Sequence, residues 1–234
     1  MTYEAVFLDL DDTLYPYPPC NEAGKRAAFE TFLELGYDLD REGFEALYQE
    51  GRRAVKRELS GTASAHERFL YFKRAIDLHA GTHRSEHALR LGEAYWDAYV
   101  DEMTLFDGVA ETLATLQDAG VDVAVVTNLT TRIQLKKLHR LDLDRHVDLL
   151  LTSEETGREK PSSVMFTLPL ARLDRRPGEV LMVGDDVEAD LEGANAVGLG
   201  TAAFNGPDDV ADLPERCRPD HTITDFTDLT EVVL

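Results

Sequence analysis

The apolar residues of this chain follow two different patterns. Short runs in which nearly every residue is apolar predict strands that are buried on both faces, as in a parallel sheet. Longer stretches with apolar residues three or four positions apart predict amphipathic helices. The short runs lie at residues 5–8, 121–126, 147–151, 179–183, 199–204 and 221–224. Helices and strands alternate after the second run, which predicts an α/β fold with a doubly wound (Rossmann-like) parallel sheet.

The stretch between the first two predicted strands has a helical pattern throughout. Residues 15–19 are rich in proline and predict a stiff turn rather than a helix start. Four helices are predicted to follow, with the candidate N-cap residues Asn21, Asp40, Ser64 and Ser85. Since no strand separates them, we expect an all-α helical bundle. The predicted organisation is a core domain of residues 1–16 and 101–234, with residues 17–100 inserted as a second domain.

Length and composition narrow the class of protein. The 234 residues are 43% hydrophobic, which is enough for a sizeable core, and they contain no apolar run of about 18 residues that would predict a membrane span. A predicted strand begins almost at Met1, without the basic start and apolar stretch of a signal peptide. Cys20 and Cys217 lack metal-type spacing and are interpreted as reduced thiols. We therefore expect a cytoplasmic protein.

The net charge of −21 argues against nucleic acid and anionic membranes as partners. Residues 17–100 hold 12 basic and 14 acidic residues, so the rest of the chain carries a balance of −19. Such acidity opposes the approach of an anionic substrate in dilute buffer, but the Debye length falls to about 3 Å in molar salt. We therefore hypothesise a salt-rich, halophilic cytoplasm. A stability that does not increase in molar salt would contradict this hypothesis.

Polar residues stand where the predicted strands end. They are Asp9 and Asp11 after the first strand, Thr127 and Asn128 after the second, Lys160 on a loop, and Asp185, Asp186 and Asp190 after the fourth. Taken singly, they could be turn acids, a capping threonine, a surface lysine and an acidic helix start. Because the carboxyl ends of parallel strands share one edge of a sheet, we expect these residues to converge on one crevice. Carboxylates, a hydroxyl and an ammonium with room for Mg²⁺ suit phosphoryl transfer.

Four segments resemble the four motifs of the haloacid dehalogenase-like hydrolases and occur in the same order. They are Asp9-Leu10-Asp11-Asp12-Thr13-Leu14, Val126-Thr127-Asn128, Lys160-Pro161 and Val183-Gly184-Asp185-Asp186-Val187-Glu188-Ala189-Asp190. The helical insert after the first motif resembles the cap domain of the family's phosphatase-type branch. The resemblance implies a Mg²⁺-dependent phosphatase that hydrolyses a small phosphomonoester through an aspartyl-phosphate intermediate.

The resemblance also implies catalytic roles. Asp9 is expected to attack phosphorus, while Asp11 protonates the leaving alkoxide and then accepts a proton from water. Thr127 and Lys160 are expected to bind and stabilise the transferring phosphoryl group, with Asn128 in the same substrate-binding pocket.

The expected Mg²⁺ ligands are the Asp9 carboxylate, the backbone carbonyl of Asp11 and Asp185. Asp186 and Asp190 stay open as direct or indirect ligands, because the doubled aspartate after Gly184 leaves the register uncertain by one residue. The expected partner is a small phosphorylated metabolite, with no nucleic acid and no membrane involved.

Three other functions share parts of this pattern. A 2-haloacid dehalogenase needs the nucleophilic aspartate but no Mg²⁺, and it typically lacks the second aspartate, so Asp11 and Asp185 count against it. A phosphosugar mutase passes the phosphoryl group to its substrate, and the sequence hardly separates it from a hydrolase. A non-enzymatic phospho-receiver has no Asp-x-Asp-x-Thr at its first strand and no long helical insert. The sequence leaves the particular phosphomonoester and the oligomeric state open.

Three further groups of residues have a structural interpretation that we favour. The first consists of surface or interhelical histidines, His79, His83 and His87. The second consists of aromatic core residues at helical spacing, Tyr95, Trp96 and Tyr99. The third is a basic run interpreted as a solvated helix face, Arg52-Arg53-Lys56-Arg57. The alternative for this run is local attraction of a phosphorylated substrate to an otherwise acidic protein.

Overall fold

The structure is a computed structural model that describes residues 2–206 and 210–234. The strands within these residues are β1 (Ala5–Leu8), β2 (Asp122–Thr127), β3 (Leu149–Thr152), β4 (Val180–Gly184), β5 (Gly200–Phe204) and β6 (His221–Ile223). They form one parallel sheet with the order β3-β2-β1-β4-β5-β6. The predicted strands and their parallel arrangement are confirmed, with small differences at the strand ends.

The described chain between β1 and β2 is helical, as predicted. Its helices are α1 (Tyr17–Glu34), α2 (Arg41–Glu58), α3 (Arg68–Ala80) and α4 (Ser85–Asp101), with a 3₁₀ turn at Ala63–His66. Helix α4 packs against α1 and α3, and α2 packs against α3. Tyr95, Trp96 and Tyr99 of α4 are buried in this bundle, which confirms their interpretation as core residues. The boundaries of the inserted domain at residues 17–100 stay a prediction.

Three of the predicted helix starts are wrong. Helix α1 begins at Tyr17, before the predicted cap Asn21, with two prolines in its first turn. Proline is tolerated there because the first N–H groups of a helix have no intrahelical acceptor. Helix α3 begins after Glu67 rather than after Ser64, and the Glu67 carboxylate accepts from the N–H of the second helical residue at 3.2 Å. Helix α4 includes Ser85 as its first residue.

Further helices cover both faces of the sheet. They are α5 (Val109–Asp118), α6 (Thr131–Arg140), α7 (Ser153–Thr156), α8 (Val164–Leu173), α9 (Gly193–Val197) and α10 (Leu229–Val233), with a π-helix at Val187–Glu192. Val6 and Leu8 of β1 belong to one apolar cluster, and Ala5 and Phe7 belong to the other. The central strand is thus buried on both faces, as its apolar run predicted. In the described residues no helix is both long and apolar enough to cross a membrane.

The strand order reverses between β1 and β4. These two strands are neighbours, with Leu8 opposite Val183, but the chain continues from β1 to one side of the sheet and from β4 to the other. A crevice opens at the carboxyl ends of two strands where the winding reverses in this way, and ligands bind there. The fold therefore places the candidate site beyond Leu8 and Val183.

The chain enters and leaves the helical insert at neighbouring points. The backbone N–H of Phe106, which follows α4, donates to the carbonyl of Leu14, which precedes α1, at 3.0 Å. Both connections therefore run beside the carboxyl end of β1, and the insert stands directly over that edge of the sheet.

Candidate active site

Asp9 and Lys160 form a buried ion pair at the carboxyl end of β1. The N–H of Asp9 donates to the carbonyl of Val183 at 2.9 Å, which fixes Asp9 at the sheet edge. Lys160 Nζ lies 2.6 Å from Asp9 Oδ1 and 2.6 Å from Asp190 Oδ1. Burial raises the pKa of Asp9 well above its usual value, with Lys160 opposing this shift. Burial would lower the pKa of Lys160, but Asp190 and Asp9 outweigh it and raise that pKa.

Three carboxylates surround one point at this edge. Asp9, Asp185 and Asp190 each place an oxygen within 4.8 Å of the others. Burial, followed by the charges of Asp190 and Asp12, raises the pKa of Asp185 to about 7. Carboxylates that repel one another are stabilised by a cation, and oxygen ligands of this kind are those that Mg²⁺ prefers. The donor set therefore fits a divalent ion, although Lys160 already supplies one positive charge.

The adjacent residues Asp185 and Asp186 face different partners. Asp186 Oδ1 accepts from two N–H groups of the π-helix at 2.8 and 2.9 Å, so its carboxylate caps that helix. Asp190 is buried and uses Oδ1 for Lys160 and Oδ2 for the N–H of Asp186, at 3.2 Å. A Cβ on Gly184 would lie 2.2 Å from Asp190 Oδ2, so glycine is needed for this close approach. Asp185 Oδ1 accepts a long hydrogen bond from Thr13 Oγ1 at 3.4 Å, so its carboxylate is less constrained than those of Asp186 and Asp190.

Asp11 lies two residues beyond Asp9 but has different neighbours. Lys137 Nζ of α6 lies 2.6 Å from Asp11 Oδ1, and the Tyr15 hydroxyl donates to the same oxygen. Burial would raise the pKa of Asp11, but Lys137 and Tyr15 outweigh it and that pKa is lowered. The two carboxylates of the first motif are therefore shifted in opposite directions, which is typical of a pair with separate chemical tasks.

Lys137 is a functional candidate that the sequence interpretation missed. Its side chain is 1% exposed, and its ammonium lies 5.2 Å from the ring centre of Tyr99 and 5.7 Å from that of Trp96. Both rings belong to α4, so Lys137 joins the insert to the core at Asp11 through cation–π contacts. The available signal was its position, because Lys137 falls on the face of α6 that also carries the buried Leu138.

Thr127 and Asn128 follow one another at the end of β2 and contact different groups. Gln134 Nε2 donates to Thr127 Oγ1 at 2.6 Å, so the threonine accepts there and its own proton is available to an anion. Asn128 Oδ1 accepts from the N–H of Lys160 at 2.8 Å. Thr127 lines the same cavity as Lys160, and its role in binding phosphate stays a prediction. The carbonyl of the Asn128 side chain instead holds the loop that carries Lys160.

A cavity of about 270 Å³ lies between the sheet edge and the helical insert. The site residues described above line its core side. The insert lines the other side with polar side chains, namely Tyr17, Arg52, Lys56, His66, Arg68 and Tyr71. His66 Nε2 lies 2.7 Å from Glu159 Oε2, which connects the insert to the loop before Lys160. A cavity enclosed from both sides suits a small polar substrate.

The three histidines of the insert have structural contacts. His79 packs against Tyr37, and His87 Nδ1 lies 2.6 Å from the Tyr37 hydroxyl. His83 contacts Asp77 at 3.3 Å. These contacts fit the interpretation of the three residues as interhelical or surface histidines.

Comparisons with known proteins place this site in a wider context. Residues 3–198 match the haloacid dehalogenase-like hydrolase family. The chain is 59% identical to a ribulose-1,5-bisphosphate 5-phosphatase of Halopiger xanaduensis, over 98% of both chains. It is 31% identical to a glyceraldehyde 3-phosphate phosphatase of Methanopyrus kandleri, over 85% of this chain and 82% of that protein.

A solved structure shows the same fold. The 2-haloacid dehalogenase of Pseudomonas syringae superposes with a TM-score of 0.76, covering 100% of this chain and 98% of that one, at 24% identity. Because the identity is low, this likeness shows the fold and does not bear on which reaction the chain catalyses.

Proposed function

The chain belongs to the haloacid dehalogenase-like hydrolases, and on that basis we propose a Mg²⁺-dependent phosphatase that acts on a small phosphorylated sugar through an aspartyl-phosphate. The observation that carries this proposal is the contrast between Asp9 and Asp11. Asp9 lies beside Lys160 and within the cluster of three carboxylates, whereas the side chain of Asp11 is held by Lys137 outside that cluster. We propose from this placement that Asp9 attacks a phosphoryl group held beside Lys160 and that Asp11 carries protons.

The proposed reaction has two steps. Asp9 attacks phosphorus, the ester P–O bond breaks, and the leaving alkoxide takes a proton from Asp11. Water then attacks the phosphorus of the aspartyl-phosphate, Asp11 accepts the water proton, and inorganic phosphate leaves as Asp9 is regenerated. The incoming phosphate dianion opposes the charge of Lys137 and so favours the protonated form of Asp11 before the first step. Lys160 and the Thr127 hydroxyl donate to the oxygens of the transferring group.

Asp9 and Asp185 are the side chains that would hold Mg²⁺, together with the predicted carbonyl of Asp11. The bound ion would neutralise phosphoryl charge and favour the ionised form of Asp9. Asp190 is tied to Lys160, and Asp186 is tied to the π-helix. We therefore propose that these two aspartates support the site from outside the direct ligand set.

The proposed substrate class follows from the relatives. The two curated relatives described above are named for sugar-phosphate substrates, and the one that is 59% identical is named for a bisphosphate. Ribulose 1,5-bisphosphate is therefore the first compound to test, followed by ribulose 5-phosphate, glyceraldehyde 3-phosphate and a nucleoside monophosphate.

The test is release of inorganic phosphate from this panel with Mg²⁺ and with excess EDTA, in low and in molar salt. We expect turnover of at least one sugar phosphate that requires Mg²⁺. Activity that persists in EDTA, or a panel without turnover in either salt, would contradict the proposal. Recovery of a sugar bisphosphate intermediate that passes its phosphate back to substrate would favour a mutase.

Binding of Mg²⁺ is expected to weaken as the pH falls below about 7. The pKa of Asp185 is raised to about 7 in the metal-free site, so below that pH its carboxyl is protonated and the ion competes with the proton. Above that pH the Asp185 carboxylate is ionised, so its contribution to the pH dependence ends. Calorimetric titration of Mg²⁺ from pH 5.5 to 8.5 should show an apparent Kd that rises by up to about tenfold per pH unit on the acid side. A Kd that is flat across this range would contradict the assignment.

Replacing Lys137 is expected to lower kcat much more than it changes KM. Lys137→Met keeps the side-chain length but removes the ammonium that fixes Asp11, and we expect a loss of about 10²-fold in kcat. Lys137→Arg should recover part of the loss, because it restores a cation beside the carboxylate. The control is Lys136→Met, which changes an exposed neighbour paired with Asp97. Equal losses in Lys137→Met and Lys137→Arg, with lowered melting temperatures, would indicate a packing role alone.

A further inference from the structure

The basic run of α2 is divided between two environments. Arg52 and Lys56 are half-buried and line the cavity, whereas Arg53 and Arg57 are exposed. The interpretation of the run as a solvated face is therefore wrong for Arg52 and Lys56. Like charges four positions apart on a helix destabilise it slightly, so this pair brings no benefit to α2 itself.

A third cation, Arg68, reaches the same side of the cavity from the first residue of α3. It is 7% exposed, and its guanidinium donates to the Tyr17 hydroxyl at 2.8 Å, the Tyr95 hydroxyl at 3.3 Å and the carbonyl of His66. None of these acceptors is a carboxylate. Its guanidinium also lies 5.2–5.9 Å from the centres of four aromatic rings, which stabilise the charge in part. Arg68 is therefore a buried cation held by hydroxyls, a carbonyl and rings, and an anion in the cavity would compensate the remaining cost of its burial.

The three cations also affect one another. In the part of the chain that the structure describes, none of the three is ion-paired with a carboxylate. Burial, followed by the charges of Arg52 and Arg68, lowers the pKa of Lys56. Burial and the two cations thus outweigh the opposing charges of Glu159 and Asp186, neither of which forms an ion pair with Lys56. An anion placed between the three side chains would relieve both the repulsion and the cost of burial.

On the opposite side of the cavity, at the sheet edge, positive charge is supplied by Lys160 and by the divalent ion that the site would hold. Lys160 lies between Asp9 and Asp190, and the carboxylate cluster fits a divalent ion, so the transferred phosphate would be neutralised at the sheet edge. Arg52, Lys56 and Arg68 are therefore not needed to neutralise the phosphate group that is transferred. Because they line the same cavity, they are available to another anionic group of the same substrate.

We propose that Arg52, Lys56 and Arg68 bind a second phosphate group, at the end of the substrate remote from the bond that Asp9 attacks. This inference rests on the proposed function and narrows its substrate class to sugar bisphosphates. A monophosphate would leave the three cations without a counter-charge, so the subsite selects against it. The same cations give an acidic chain of net charge −21 a local attraction for a highly charged substrate.

The experiment compares two double variants with the same loss of charge on the same helix. Arg52→Gln/Lys56→Gln removes two cations of the proposed subsite, and Arg53→Gln/Arg57→Gln removes the two exposed ones. For each protein, kcat/KM is measured with ribulose 1,5-bisphosphate and with ribulose 5-phosphate at one ionic strength. In the first variant we expect the ratio of the two values to fall by about 100-fold, since each cation makes a charged hydrogen bond to phosphate. In the control variant the ratio should stay within about twofold.

Calorimetry with the inactive background Asp9→Asn provides a second measurement that does not depend on turnover. Ribulose 1,5-bisphosphate should bind more tightly than ribulose 5-phosphate to Asp9→Asn, and Arg52→Gln/Lys56→Gln should remove that difference. Equal losses for both sugars, or an equal change in the control variant, would overturn the subsite and leave the phosphatase proposal intact. Failure of every sugar phosphate to turn over would overturn the phosphatase proposal, while the binding difference would still decide the subsite.

Discussion

Asp9→Asn is expected to abolish turnover, with kcat reduced by at least about 10⁴-fold. The amide is a poor nucleophile for phosphorus, so the aspartyl-phosphate cannot form. Asparagine occupies nearly the same volume, and Lys160 keeps its second ion pair with Asp190 at 2.6 Å, so the fold should be retained. The measurement is phosphate release from the best substrate of the panel at saturating Mg²⁺, together with thermal denaturation of the variant.

The matched control is Asp12→Asn, in the same loop. Asp12 has a φ of 60°, a conformation that asparagine adopts readily, and its Oδ1 accepts from the N–H of Tyr17 at 2.8 Å. We expect this variant to lose less than about tenfold in kcat, because the amide oxygen can accept the same hydrogen bond. Residual activity in Asp9→Asn similar to that of Asp12→Asn would exclude Asp9 as the nucleophile.

Lys160→Met is expected to have the second largest effect, on both stability and activity. Lys160 is buried between Asp9 and Asp190, so its removal leaves two carboxylates close together without their cation. Loss of one partner from such a buried group costs about 3–5 kcal/mol of folding free energy. The same ammonium is proposed to stabilise the transferring phosphoryl group, which adds a loss of about 10²–10³-fold in kcat. Denaturant unfolding and steady-state kinetics measure the two effects separately.

A second substitution separates the structural role of Lys160 from the catalytic one. In Lys160→Met/Asp190→Asn the side chain of residue 190 is a neutral amide, so only Asp9 is left without its cation. We therefore expect much of the lost stability to return. The activity should not return, because no cation then faces the phosphoryl group beside Asp9. A double variant that regains both stability and activity would show that Lys160 only supports the fold.

The sequence predicts an element correctly where the pattern of apolar residues along the element matches the way the folded protein buries it. The apolar run at Ala5–Leu8 can be a strand only in a sheet covered on both faces, and this is how β1 is buried. Parallel strands then bring their ends together regardless of the detailed packing. For this reason the sequence was sufficient to predict that Asp9, Thr127 and Lys160 would meet, and the structure places them in one cavity.

Other features depend on side-chain direction, which the sequence pattern does not contain. Asp185, Asp186 and Asp190 have the same chemistry in sequence. The folded chain decides that Asp186 caps the π-helix, that Asp190 pairs with Lys160 and that Asp185 accepts from Thr13. Lys137 and Arg68 resemble ordinary basic residues of amphipathic helices until tertiary packing buries them. The hypothesis of a salt-rich environment concerns solvent and net charge, and it stays a prediction to be tested by stability in molar salt.

The hydrogen bond between Phe106 and Leu14 has a consequence for the modular evolution of the protein. Because one hydrogen bond joins the two ends of the insert, the chain leaves the core and returns to it at nearly the same point. A short turn could therefore connect Leu14 to Phe106 if the helices were absent. Domain insertions are tolerated at such points because they add little strain to the host. A different bundle grafted between the same two residues would inherit the phosphoryl-transfer chemistry at the sheet edge. New substrate preferences could thus arise by exchange of whole segments, with the catalytic apparatus left untouched.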